Sequence, residues 1–407
     1  MLLFYSPQME GMAKRIARVA QCVQLCTVSW TRDERDEGFR ILNIEDGWRV
    51  PGSICFFLAS FDSTACLYEQ FAVISKLPRL GAKVLKVILP FFPSLTLRAE
   101  GGERGKGREG EIPLSRTLAR LLSAIPNAKA GPTELLMFDI HHLQERFYFD
   151  DNTVPRLESS MTLLSNRLDD IIEQQVLGAD ASGGNGSRGS EASGEGQFPW
   201  DEDSQNEIQR LQSLGQLTME ESKMLRKIKG ARRKSAPDAF MIAFADEKTA
   251  KRFGKSFPGF EHVICTRMLK NNGVKEGGDG MILLEGQPNG RRCVLVDDVI
   301  ITGTTMLQCA RLLKQLGAKS VWVYATHGQF SQESWKRFNT GLLEKVIITD
   351  SCPLMAEELM KVGPPFEIMP LHPLIAPLLD EEAFVAAHHA QMHRRVGSVG
   401  ALPRSRL

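Results

Sequence analysis

Arg292-Cys-Val-Leu-Val-Asp-Asp-Val-Ile-Ile-Thr-Gly-Thr-Thr305 decides how this 407-residue chain is read. Cys293 to Val296 is apolar enough for a buried strand. The sequence then turns acidic at Asp297 and Asp298 and closes in a small polar loop, Thr302-Gly303-Thr304-Thr305. Helical spacing follows at Met306, Leu307, Ala310, Leu313 and Leu316. Strand, acidic pair, small loop and helix are how an α/β protein holds a phosphorylated sugar. Backbone N–H groups of the loop and helix N-terminus face the phosphate, and the carboxylates take the sugar hydroxyls. The competing reading is an ordinary strand-to-helix turn with a good N-cap.

Outward from this stretch, a short pattern recurs. Leu77-Pro-Arg-Leu-Gly-Ala-Lys83 precedes an apolar run, Val84 to Leu89, and Leu313-Lys-Gln-Leu-Gly-Ala-Lys319 precedes Val321 to Ala325. Each reads as a helix closed by glycine before a β-branched strand. The spacing predicts two similar α/β halves, each a mostly parallel sheet flanked by helices. Further strands are expected at Leu2–Tyr5, Ile54–Ala59, Leu135–Ile140 and Ala239–Ala245, with a helix over Leu114–Ser123. The expected division is residues 1–150 and 151–385, with an insertion at about 175–235 and a tail at 386–407. Residues 178–196 are mostly Gly, Ser, Ala, Asn and Glu, which cannot bury a core.

Composition narrows the function classes. With 50 Lys and Arg against 49 Asp and Glu, the net charge is +1, so nothing global draws the chain to nucleic acid or an acidic membrane. No apolar run reaches membrane-spanning length, and the N-terminus carries no signal-peptide hydrophobic core. Eight scattered cysteines, mostly within apolar runs, suit reduced buried thiols better than a disulfide framework.

Acidic and histidine side chains fall at predicted strand ends, where an open α/β sheet binds ligands. Asp139 and His141 follow one strand at i, i+2 spacing, which on a continuing strand puts both on one face and within reach of one Mg²⁺–nucleotide complex. Asp246 follows the strand Phe240 to Phe244 and would complete a metal–phosphate site, since Mg²⁺ needs few protein carboxylates when phosphates supply the rest. A histidine at a strand end is more often structural.

Val294-Leu-Val-Asp-Asp through Thr305, with Tyr324-Ala-Thr-His-Gly-Gln-Phe330, resembles phosphoribosyl pyrophosphate (PRPP) synthetases. Gly131-Pro-Thr through Phe138-Asp-Ile-His-His-Leu-Gln-Glu-Arg-Phe-Tyr-Phe149 resembles the plant-type class II members, as do Leu89-Pro-Phe-Phe-Pro93, Ser334-Trp-Lys-Arg-Phe338 and Ile347-Ile-Thr-Asp-Ser-Cys-Pro353. The likeness spans residues 2–380 apart from the insertion. It implies two tandem type I phosphoribosyltransferase-like domains with a site between them. It also implies transfer of diphosphate from ATP to ribose 5-phosphate with Mg²⁺. On that likeness Asp297, Asp298, Thr302, Gly303, Thr304 and Thr305 would hold ribose 5-phosphate. Asp139, His141 and Asp246 would serve the metal, with His141 also catalytic, and Asp36, Gly38 and Arg98 would meet ATP. A homo-oligomer, or a hetero-oligomer with paralogues, is the expected assembly.

The sequence departs from the family at a catalytic Lys-x-Arg, whose lysine position is Arg267 and whose arginine position is Leu269, with Lys270 one residue on. Arg267 keeps the charge without the compact ammonium. Asp246-Glu247-Lys248 stands where plant-type members carry Asp-Asp-Gly, and Thr304 stands at a family glycine. Two other functions therefore compete with diphosphate transfer: a catalytically weak regulatory subunit, and a phosphoribosyltransferase that uses PRPP. The chain closes on Ser405-Arg406-Leu407, a variant of the Ser-Lys-Leu peroxisomal address, so a peroxisomal import receptor is an expected partner and a peroxisome-like organelle the expected location, with the cytoplasm otherwise.

Overall fold

A computed structural model describes residues 1–33, 36–62, 67–93, 114–182, 240–267 and 280–380. The expected insertion beyond residue 182, Arg98, Leu269, Lys270 and the terminal tripeptide lie outside these residues.

Two mostly parallel sheets organise the chain. The first has the order β2-β1-β5-β6-β7-β8. It is built from β1 (Leu2–Tyr5), β2 (Gln24–Leu25), β5 (Ile54–Leu58), β6 (Val84–Leu89), β7 (Thr133–Phe138) and β8 (Thr153–Glu158), with an antiparallel hairpin, β3 (Val28–Asp33) and β4 (Asp36–Ile44), beside it. The second, β11-β10-β9-β12-β13-β14-β15, uses β9 (Phe240–Phe244), β10 (Glu261–Arg267), β11 (Met281–Glu285), β12 (Arg292–Ile300), β13 (Ser320–Gly328), β14 (Lys345–Thr349) and β15 (Phe366–Met369). Only β10–β11 is antiparallel there. The run β1-β5-β6-β7-β8 corresponds strand for strand to β9-β12-β13-β14-β15, so the expected pair of similar halves is present. The first sheet extends through β8, past the expected boundary at 150.

Helices cover both faces of each sheet: α1 (Glu10–Val19), α2 (Leu67–Arg79), α3 (Leu114–Ser123), α4 (Met161–Ser182), α5 (Glu247–Phe253), α6 (Thr304–Gln315), α7 (Pro353–Val362) and α8 at residues 372–380. Covered on both sides, the central strands are continuously apolar: all five residues of β9 are buried. The repeated Gly-Ala-Lys acts as read. Gly81 and Gly317 both adopt positive φ (90° and 87°). Ala82 N–H then reaches back to Leu77 O and Ala318 N–H to Leu313 O, closing α2 and α6 in the same way.

One element crosses between halves. Leu371, Ile375, Ala376 and Leu379 of the last segment are buried with Leu3, Met9, Ile16, Phe56 and Phe138 of the first sheet and α1. Met161, Leu164, Leu168 and Ile172 of α4 instead pack on the second sheet with Phe244, Val296 and Tyr324. Seven described cysteines are free thiols, six of them buried.

Candidate active site

The chain order reverses between β9 and β12, so their C-terminal ends open a crevice of the kind that holds ligands. β12 delivers Asp297 and Asp298 there, and its loop turns directly into α6. The turn depends on Gly303, which has φ 68° and ψ 9° as the N-cap of α6. A Cβ at this position would run into the Phe338 ring, so the residue is held to glycine by conformation and by space together. Thr302 and Thr304 face each other at 3.2 Å between hydroxyls. Gly303→Ala is expected to destabilise the protein by about 1–3 kcal/mol and to deform this loop. Urea midpoints of the two proteins, with ligand titrations, check it.

Two arginines reach this loop. Arg267, at the end of β10, donates to Thr305 Oγ1 at 3.0 Å and to Gln308 Oε1 at 3.5 Å. Arg337 donates to Thr302 O at 2.9 Å and Thr304 Oγ1 at 3.1 Å. The expected catalytic cation thus sits on the loop of residues 302–305 itself. Arg337 is invisible to sequence reasoning, since its only local signal is a basic residue beside Phe338.

The acidic pair divides. Successive residues of a strand point to opposite faces, and Asp298 is buried whereas Asp297 is half-buried. Asp298 accepts from His141 Nδ1 at 3.0 Å and from Arg252 Nη1 at 2.8 Å. Arg252 also donates to the carbonyls of Ile140 and His141, so one guanidinium joins α5 to both sheets. Burial alone would raise the Asp298 carboxyl, but His141 and Arg252 outweigh it and hold it below the usual carboxylate range. Asp297 goes the other way: burial and then the neighbouring Asp298 charge push it well above that range. Asp298, expected free for sugar hydroxyls, is engaged across the seam between the halves. Arg252 is the residue sequence reading missed here, since nothing local distinguishes it from a basic residue near a helix end.

Asp139 also differs from expectation. β7 ends at Phe138, and Asp139 has φ 37°, so it does not share a strand face with His141. Its buried carboxylate accepts from Ser159 Oγ (2.7 Å), Ser160 N (2.8 Å), Ser160 Oγ (2.7 Å) and Thr326 Oγ1 (2.8 Å). A carboxylate saturated by four neutral donors is a joint between halves, not a metal ligand. Beside it the buried His327 bonds Phe138 O through Nε2 at 3.1 Å, and burial keeps its pKa below the ordinary value. Asp246 caps α5, accepting from Thr249 N at 2.8 Å. Asp139, His141 and Asp246 therefore do not fit a protein-held Mg²⁺ site, and among the described residues no group of three or more His, Cys, Asp or Glu is arranged to hold a metal. Asp36 and Gly38 lie in β4.

Comparison with known proteins agrees with the fold. Residues 251–362 match the family described as the phosphoribosyl synthetase-associated domain. The chain is 35% identical over 385 residues to ribose-phosphate pyrophosphokinase 3, mitochondrial, of Spinacia oleracea, covering 93% of this chain and 76% of that protein. It is 31% identical to ribose-phosphate pyrophosphokinase 4 of Oryza sativa, covering 93% and 94%. The crystal structure of phosphoribosylpyrophosphate synthetase from Mycobacterium smegmatis shares the fold, with TM-score 0.61, 19% identity and coverage of 95% and 99%.

Proposed function

Because this chain belongs to the ribose-phosphate pyrophosphokinase family, we propose that it transfers the β,γ-diphosphoryl group of ATP to the 1-hydroxyl of ribose 5-phosphate. The sugar oxygen attacks the β-phosphorus, the bond to the α-phosphate oxygen breaks, and AMP leaves as PRPP forms. The observation that carries this reading is the loop of residues 302–305, opening at the reversal between β9 and β12 beside Asp297. Loop N–H groups and hydroxyls take the 5′-phosphate, and Asp297 takes a ribose hydroxyl. Asp298 orients His141 through Nδ1, which turns the other ring nitrogen to the transferred phosphates. Such transfers depend on positioning and on countering charge that spreads over phosphate oxygens.

The test is PRPP and AMP formation by the purified chain from ATP and ribose 5-phosphate in Mg²⁺-containing buffer. Asp297→Ala is expected to lower turnover by about 10²–10³-fold. The regulatory-subunit reading is favoured by one specific feature, the engagement of Arg267 with Thr305 and Gln308 at a family lysine position. ATP binding with no turnover above the Asp297→Ala control would support it, and a gain of activity in Arg267→Lys would mark the site as attenuated.

A further inference from the structure

The segment 331–338 is folded onto the sugar-phosphate loop one contact after another. Ser334 Oγ donates to Ile301 O at 2.6 Å, Arg337 to Thr302 O at 2.9 Å, and the Phe338 ring fills the space above Gly303. Phe338 is fully buried and packs edge-on against Phe330 at 5.4 Å between ring centroids. Phe330, Gln332 and Glu333 all take positive φ to make this path. Arg337 is therefore fixed from both sides, although its own side chain is exposed.

Its partners are all neutral oxygens: both of its hydrogen bonds use Nη1, and among the described residues it makes no ion pair. The adjacent Lys336, in contrast, is paired with Glu333 at 2.5 Å. On the other side of the loop Arg267 bonds Thr305 and Gln308 and likewise makes no ion pair among the described residues. With Asp298 taken up by Arg252 and His141, the site offers the Asp297 carboxyl at the β12 end and, at the α6 end, two guanidiniums that make no ion pair among the described residues. A sugar phosphate has the same polarity, hydroxyls at one end and a dianion at the other.

We propose that Arg337 binds the 5′-phosphate of the sugar substrate, its Nε and Nη2 N–H groups donating to phosphate oxygens while Nη1 stays on the loop. This rests on the sugar-phosphate reading of the loop given above. A guanidinium already locked in place gives up little freedom on binding, and its planar donor fork suits a phosphate.

Isothermal titration of ribose 5-phosphate, ATP and inorganic phosphate into the wild-type chain, Arg337→Gln and Arg337→Lys tests it. Arg337→Gln is expected to weaken ribose 5-phosphate about 10–100-fold and to leave ATP affinity unchanged. Arg337→Lys keeps the charge without the two-point loop contact and is expected to recover part of the loss. A residue that merely props the loop would leave Lys as weak as Gln, which overturns the proposal, as does equal binding of ribose 5-phosphate by wild type and Arg337→Gln. Inorganic phosphate separates the two layers. If wild type ignores ribose 5-phosphate yet binds phosphate through Arg337, the sugar reading fails and the phosphate site stands. If wild type binds neither, both fail.

Discussion

Asp139→Ala is expected to destabilise the protein by about 3–5 kcal/mol. Removing the carboxylate strands the buried Ser160 N–H and leaves the buried hydroxyls of Ser160 and Thr326 only each other and Tyr324, while the exposed Ser159 turns to water; all three residues otherwise point at it, from both halves. A stranded buried donor forfeits about 1–3 kcal/mol. Asp139→Asn keeps one acceptor and lets a serine hydroxyl turn round, so its loss should be smaller. Urea unfolding in metal-free buffer checks this. A metal-ligand role would leave metal-free stability nearly untouched; a joint between halves lowers it with or without Mg²⁺.

Arg252→Met is expected to remove about 3–5 kcal/mol, softened by the His141 contact that remains. Asp298 is buried, and truncating its guanidinium partner leaves a charge with half its compensation. Arg252→Met/Asp298→Leu should recover much of the loss, because no stranded charge is left. The pH dependence has a definite sign. Asp298 is held below its ordinary range when folded, so its contribution is complete above the unfolded value of about 3.9 and disappears as pH falls through the lower folded value. Without Arg252 acid unfolding should begin at higher pH, as circular dichroism against pH would detect. Asp297, raised when folded, has the opposite sign and favours the folded state less as pH climbs through its range.

What was legible in the chain follows the range of each interaction. β12, its acidic pair and the loop to α6 were readable because strand, turn and helix signals lie within 25 consecutive residues, 292–316. The matching halves were readable from Leu-Gly-Ala-Lys, a local helix ending. The seam was not. Asp139 looked like a ligand because strand alternation was carried past Phe138 to His141, whereas the backbone turns at Asp139 to φ 37°. Its donors come from positions 159, 160 and 326, and no spacing rule connects those. Arg252 and Arg337 are defined by carbonyls and carboxylates far away in sequence, so each reads locally as a solvated base.

The burial of Leu371, Ile375, Ala376 and Leu379 against β1, β5 and α1 has a consequence for biosynthesis. As the chain leaves the ribosome, the first half is made early, yet the face of its sheet packed by α1 is covered only in part until residue 379 has emerged. The second half must be synthesised in between. Nascent chains stopped after α4 therefore lack the part of the apolar cover over Leu3, Phe56 and Leu58 that residues 371–379 supply.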